Sequence, residues 1–394
     1  MQRFHYVASS TAGCQSKQAT PFSLLLDLVK LSKIAMKRPM CAVEKRKAQP
    51  VVVLLSFRTY GDYVLKAPFL FELQQRFPKF RIIVVTNKRG GQVYPLLDSR
   101  LETLVLDHFT PKWKIPFFIW RLPKAEWLFA IDDSRTTLLL SILVRARHKT
   151  GWIQNISRLY GTNGFFEWRS VPGWLMSWVR ISFDVAKIRS PEGKYEGYVE
   201  LELLEAEGAG RPLAAFRSQY AVRGTATTNR RYIYCATEAG WKARQLSTAQ
   251  WLELITELIT EYPEHDMLVH GPHSLIESVN RPDKVIKVDQ SVEELFLTVA
   301  NADLVIAADS FVLHLASFYD IPAIGYFGPT HPVRFHPTGP RSSSIFHQPD
   351  CCPCLQRRGD SPCQRELDQC VSLSSMSARE FIAIARIALP PGRV

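Results

Sequence analysis

The sequence predicts an α/β protein made of two Rossmann-like domains, each with a parallel sheet. Three observations predict it. Apolar runs such as Val51–Leu55 and Leu304–Ala307 are long enough for buried strands and too short for helices. Stretches with helical periodicity lie between such runs, several opened by capping boxes. The alternation occurs twice, in a chain of 394 residues, which is enough for two domains with sizeable cores.

The first domain is expected over residues 50–210. Val51–Leu55 reads as a continuous apolar strand, Val64 to Phe77 as a helix, and Arg81–Thr86 as the second strand. The turn after the first strand lacks G-x-G-x-x-G, so it is not a dinucleotide site. Trp127–Ile131 reads as another strand, ending at Asp132-Asp133 before an apolar helix from Arg135 to Arg145. Tyr195 to Gly208 reads as a helix closing the domain, and residues 211–231 as a linker.

The second domain is expected over residues 232–350. Its strands are Tyr232–Ala236, Met267–His270, Val285–Val288, Leu304–Ala307 and Ala323–Phe327. Ser247-x-x-Gln250 opens the helix to Tyr262, and Ser291-x-x-Glu294 opens another. Asp309-Ser310 starts a short helix that Ile321-Pro322 ends. The loops after Ala307 and after Phe327 lie at the carboxyl ends of parallel strands, where open α/β sheets bind ligands. The first of them leads into a helix N-terminus, whose free N–H groups and partial positive charge suit a phosphate.

These loops carry a resemblance. Asp309-Ser310-x-x-x-His314-Leu315-Ala316, followed by Phe327-Gly328-Pro329-Thr330-x-Pro332, resembles the C-terminal signature of glycosyltransferase family 9. That family comprises the heptosyltransferases and related enzymes of lipopolysaccharide core assembly. Gly61-Asp62-x-x-Leu65-x-x-Pro68 resembles its N-terminal signature, and the likeness runs in register over roughly residues 50 to 390.

The resemblance implies a GT-B architecture, two Rossmann-like domains facing across a cleft. It implies inverting transfer from a nucleotide sugar, ADP-heptose, to a lipopolysaccharide core or related anionic glycolipid, with no cofactor required for catalysis. Asp62 would be the general base, since a sugar hydroxyl is a poor nucleophile until its proton leaves. Arg58, Gly61 and Asp133 would lie on the acceptor side. Thr237, Lys242, Arg244, Asp309, Ser310, Phe311, His314, Gly328, Pro329 and Thr330 would hold the donor. Of the two cations, Arg244 has the better spacing to Trp251.

Plainer readings stand beside these. Asp62 and Asp133 each also read as a helix cap, Asp309 and Ser310 likewise, Lys242 and Arg244 as solvated charges, and His314 as a packed helix residue. Asp132-Asp133 would also suit a metal holding a nucleotide sugar, but it falls in the half expected to hold the acceptor. Two positions depart from the family pattern. Phe311 stands where a small residue, often Gly, is usual, and narrows a close backbone approach. Lys66 stands before Ala67-Pro68 where a small residue is also usual.

Charge is uneven. Residues 1–50 hold 9 basic and 2 acidic residues, giving +7; residues 51–220 hold 24 and 16, giving +8; residues 221–394 hold 16 and 19, giving −3. A basic first half suits an anionic glycolipid or membrane surface, and no nucleic-acid motif accompanies it. Pro21 to Arg38 reads as a basic amphipathic helix within the extension 1–49, placed either on a membrane interface or on the domain. No apolar run approaches the roughly 18 residues that span a bilayer, so the protein is expected to be soluble or peripheral, and the resemblance implies the cytoplasm, with a place at the cytoplasmic face of the inner membrane as a further expectation. Residues 151–190, rich in Trp, Phe and Arg, read as an acceptor loop, a membrane-docking surface or ordinary core.

The tail, 351–394, carries Cys351, Cys352, Cys354, Cys363 and Cys370. Cys351, Cys354, Cys363 and Cys370 would suit a structural zinc or iron; two disulfides are the other reading. Ser377-x-x-Glu380 caps a last helix, expected to pack back across the domain gap. Two rivals remain: a non-catalytic nucleotide-sugar-binding or scaffold protein, which binding of no nucleotide would favour, and a sugar-nucleotide epimerase, which Asp62 substitution would separate.

Overall fold

The computed structural model describes residues 49–106, 115–132, 134–153, 183–188, 193–208, 210–223, 230–351 and 369–390. The helix expected over 21–38, most of the aromatic stretch 151–190, Asp133, Cys354 and Cys363 lie outside the described residues.

Two six-stranded sheets, parallel throughout, form two lobes. The first contains β1 (Val51–Ser56), β2 (Arg81–Thr86), β3 (Glu102–Val105), β4 (Ala125–Ala130), β5 (Ala146–Ile153) and β6 (Val185–Ile188), in the order β3-β2-β1-β4-β5-β6. The second contains β7 (Tyr232–Ala236), β8 (Asp266–His270), β9 (Val285–Lys287), β10 (Leu304–Ala308), β11 (Ala323–Tyr326) and β12 (Ser343–Ile345), in the order β12-β11-β10-β7-β8-β9. Both lobes therefore have the same doubly wound topology. In each, the chain reverses direction across the sheet between two central strands, β1 and β4 or β7 and β10. Such a switch point opens a crevice at the carboxyl ends of the strands.

Central strands are buried on every residue, as β1 and β7 show. Helices cover both faces of a parallel sheet, so alternation is lost and the strand reads as one apolar run. One apolar cluster continues from lobe to lobe: Tyr63, Val64 and Leu65 belong to it with Val312, Leu313 and Leu315. The helices Tyr60–Val64 and Phe311–Tyr319 thus pack on each other across the gap.

Four expectations are corrected. The single helix Val64 to Phe77 is two, Tyr60–Val64 and Ala67–Arg76. Pro68 lies in the first turn of the second, where its missing N–H costs nothing and a new helix begins. The helix Tyr195 to Gly208 is a short turn, Glu196–Val199, running into a 3-10 helix, Glu200–Leu204, which Glu205 ends at φ 51°. The last helix, Ala378–Ala388, packs on the Thr248–Glu261 helix of its own lobe. There Tyr262 donates to the Leu389 carbonyl (3.0 Å) and Arg386 pairs with Glu261 (2.7 Å). The cap before Arg135 is Ser134, which accepts from the Thr137 N–H, and not Asp133.

Candidate active site

The first wall of the site grows from the carboxyl end of β1. Tyr94 donates to Ser56 (2.8 Å), the Arg58 N–H donates to the Tyr63 hydroxyl (2.7 Å), and Asn87 donates to the Arg58 carbonyl (3.0 Å). Asp132, buried at the end of β4, accepts from the Phe57 N–H (2.5 Å) and the Thr137 hydroxyl (2.6 Å). Its carboxylate is committed to bracing this loop, which argues against Asp132 as half of a metal pair.

Thr59 caps the next helix and Asp62 is its third residue. Asp62 accepts from the Thr59 N–H (3.2 Å) and hydroxyl (2.8 Å), so it closes a capping box while keeping solvent access. Burial pushes the Asp62 carboxyl up; Arg58, Lys66 and the Thr59 bonds outweigh it and hold the group below its ordinary value. The carboxylate is therefore charged at neutral pH.

The opposite wall grows from β10. Asp309 is buried at the strand end and receives three groups. Thr330 donates to it (2.8 Å), Arg244 lies 3.4 Å away, and His314 Nε2 lies 3.6 Å away. Arg244 also donates to the Asp309 carbonyl (3.0 Å) and stacks on Trp241 (4.6 Å). Burial pushes the Asp309 carboxyl up, and Arg244, His314 and Thr330 together draw it below its ordinary value.

Ser310 caps the Phe311–Tyr319 helix without a side-chain bond, and the first turn holds no acidic residue. Its amide dipoles are therefore not neutralised within that turn. Among the described residues, Ser310 Oγ, His314 Nδ1 and Arg244 Nε are buried without a hydrogen-bond partner. Three orphaned polar atoms in one place cost stability, and a polyanionic ligand would satisfy them.

The two walls touch. A Cβ added to Gly61 would stand 3.1 Å from His314 Cδ2 and 3.5 Å from the Phe311 Cα and N. The Phe311 ring packs, tilted, against Tyr60 of the first lobe (5.5 Å) and against Phe296 (5.9 Å). Tyr60 in turn donates to Gln92 (2.8 Å). A second bridge joins the lobes at Glu196 and Arg334, 2.5 Å apart.

The structure thus brings together Arg58, Gly61, Asp62, Arg244, Asp309, Ser310, Phe311, His314 and Thr330. Lys242 shares the turn of Arg244 but is exposed. Thr237 spends its hydroxyl on the His270 carbonyl (3.0 Å). Gly328 faces the tail, where a Cβ would stand 2.9 Å from that of Cys370, and Pro329 is buried beside it. Among the described residues, no three His, Cys, Asp or Glu side chains are grouped to hold a metal. The sequence reading missed Tyr60, the Glu196–Arg334 bridge and the pairing of Lys66 with Glu200. None of the three has a local sequence signal.

The model of glycosyltransferase family 9 (heptosyltransferase) matches residues 139–363, more than half of the chain. The chain belongs to glycosyltransferase family 9. The fold agrees with that of the family 9 glycosyl transferase of Veillonella parvula (TM-score 0.63, 14% identity, 86% of this chain and 97% of that one). It agrees equally with E. coli ADP-heptose lps heptosyltransferase II (TM-score 0.61, 14% identity, 86% and 98%). E. coli heptosyltransferase WaaC with ADP gives a TM-score of 0.60 at 15% identity, over 86% and 99%. A Haemophilus influenzae protein, provisionally described as a glycosyltransferase, is 31% identical over 108 residues; the match spans 26% of this chain and 31% of that relative's length. As a family 9 member, the chain has the two-lobed GT-B fold expected from its sequence.

Proposed function

We propose that this family 9 protein transfers a heptose from ADP-heptose to a hydroxyl of a lipopolysaccharide core or related anionic glycolipid, with inversion. Residues 50–210 form the acceptor lobe and 232–350 the donor lobe, joined by 211–231. One observation carries the reading: Gly61-Asp62 lies against the amino end of the Phe311–Tyr319 helix. A proton acceptor and an anion-binding terminus then flank a single point, as direct displacement requires.

The acceptor oxygen attacks the anomeric carbon while its proton passes to Asp62. The bond from that carbon to the diphosphate breaks, and ADP leaves with the electron pair. The helix terminus, Ser310 and Arg244 meet the charge that develops on the leaving group. His314 donates to the diphosphate or the donor sugar. Support for the donor comes from the structural neighbours, of which WaaC is described with ADP and with ADP-2-deoxy-2-fluoro heptose.

The basic first half supports a location at an anionic surface, which we take to be the cytoplasmic face of the inner membrane. No helix among the described residues is long and apolar enough to cross a membrane. Cys351, Cys354, Cys363 and Cys370 are assigned a structural zinc or iron, with no part in the reaction.

The test is a donor screen by mass spectrometry with core oligosaccharide, paired with calorimetry against ADP-heptose, ADP, GDP and UDP. Asp62→Asn should lower transfer by about a hundred- to ten-thousandfold and leave donor affinity within about threefold. Binding of none of the four nucleotides would favour the scaffold reading instead.

A further inference from the structure

We propose that the helix Ile115–Arg121 is a docking surface for an anionic phospholipid bilayer, with Phe117 and Trp120 entering the headgroup layer and the cations around them meeting lipid phosphates. The inference rests on the membrane location proposed above, which it supplies with a surface, and not on the reaction. The helix reads Ile-Pro-Phe-Phe-Ile-Trp-Arg and lies between β3 and β4. Phe117 is 48% exposed and Trp120 50%. Their rings stack on each other (6.3 Å).

Such a face needs a reason. A surface helix ordinarily turns one apolar stripe to the core and a polar face to water. Here both sides are largely apolar. Ile115, Phe118, Ile119 and, just past the end, Leu122 pack on the cluster of Val53, Leu55 and Leu128 under the first sheet. That contact fixes the helix without the help of Phe117 and Trp120. These two stand at i and i+3, where helical side chains are neighbours, and so form one patch. Contiguous rings at a surface mark a place where something binds.

Charge chooses the occupant. Arg121 lies over the Phe117 ring (4.5 Å). Lys124 follows and is exposed. The Ala125 N–H donates to the Arg145 carbonyl (3.0 Å), which brings a further exposed cation to the same end of the helix. Glu126, at the start of β4, is paired with Arg147 (3.0 Å). In sequence, Lys112, Lys114, Arg121 and Lys124 fall within residues 112–124 with no acid among them. Rings beside Lys and Arg suit a lipid interface, where the rings sit at headgroup level and the long cations reach the phosphates. A second copy of this chain suits the face poorly, because a two-fold contact would set Arg121 and Lys124 against their own copies.

The patch lies on the lobe that a glycolipid would have to meet. Ile115 and Phe118 pack on the same apolar cluster as Phe57, whose neighbour is Arg58. The helix is thus tied through the core to the wall that carries Gly61 and Asp62. The long-range field points the same way. Residues 51–220 carry +8 and residues 221–394 carry −3, so an anionic bilayer attracts the first lobe and repels the second.

The experiment is sedimentation of the full chain with vesicles of phosphatidylethanolamine and phosphatidylglycerol in equal parts, and with phosphatidylcholine vesicles for comparison. It compares wild type with Phe117→Ser/Trp120→Ser and with Arg121→Gln/Lys124→Gln, each first shown by circular dichroism to be folded. Wild type should sediment with the anionic vesicles, and both variants should partition at least about tenfold less. Trp120→Phe keeps an aromatic ring and should restore binding. A serine variant that binds the anionic vesicles as well as wild type overturns the inference and leaves the membrane location standing on other surfaces. Wild type that binds neither vesicle sinks the location itself. Self-association of wild type in ultracentrifugation, lost in the serine variant, would assign the face to a second copy and overturn the inference as well. Transfer to core oligosaccharide in solution is a separate readout, and its absence would sink the reaction while leaving vesicle binding intact.

Discussion

Thr330 offers a perturbation whose size and pH signature both follow from the geometry. Its hydroxyl donates one bond, 2.8 Å, to Asp309, and both residues are buried. Valine has nearly the same shape, so Thr330→Val removes the bond and little else. A hydrogen bond to a charged group is worth about 1.5–3 kcal/mol. At about 2–4 °C per kcal/mol, the second lobe should melt roughly 3–12 °C lower at pH 7. The sign with pH is fixed by Asp309, whose folded pKa lies below the ordinary value although burial raises it. A depressed carboxylate stabilises the fold above its unfolded pKa of about 3.9, and that stability is lost as pH falls through the folded pKa. Without the Thr330 bond the folded pKa moves back up towards the unfolded one. The deficit of the variant should therefore be full at pH 7, constant down to about pH 4, and smaller below it. Calorimetric melting at neutral pH and urea unfolding near pH 3 measure the two ends. An equal deficit at both would mean that packing, and not the charged bond, is what the substitution removes.

Two further outcomes are expected. Gly61→Val places methyl groups against His314 and Phe311, where a single Cβ already comes within 3.1 Å. It should cut kcat/KM about a hundredfold by displacing the Asp62 turn, while calorimetry finds ADP affinity within about threefold. Arg244→Gln removes the cation nearest Asp309 and should weaken ADP binding about tenfold, or about 1.4 kcal/mol; equal affinity would exclude Arg244 from the diphosphate site.

What the sequence disclosed was whatever is local. β1, β7 and β10 are fully buried and read as apolar runs. Ser247 and Ser291 opened helices through capping boxes that the structure contains. Strands at the flanks escaped notice. β3 has no buried residue, and β5 reads Ala-Arg-His-Lys-Thr-Gly-Trp-Ile, with charges along its exposed part. Neither carries an apolar run or a clean alternation. The site divides in the same way. Gly61-Asp62 and Asp309-Ser310 could be read because each lies in a short contiguous motif that resembles a signature of the family. Glu200 reads as one acid among several on a polar helix, and only the fold brings Lys66 to it.

Phe311 shows how a departure from a pattern can be absorbed elsewhere in the fold. A small residue at the amino end of a helix lets another backbone or a ligand come close. Here the Phe311 ring turns towards Tyr60 and Phe296, and so takes part in the apolar contact between lobes. The close approach is supplied from the other side, by Gly61, which has no Cβ to hold the helix terminus away. A ring at 311 and a glycine at 61 therefore work as one fitted pair. The ring takes part in how the lobes meet, and the glycine lets the Asp62 turn come close to the amino end of the Phe311–Tyr319 helix. Enlarging Gly61 should then harm turnover more than trimming Phe311 does, because a side chain at 61 would push the Asp62 turn away from His314 and the Phe311 backbone.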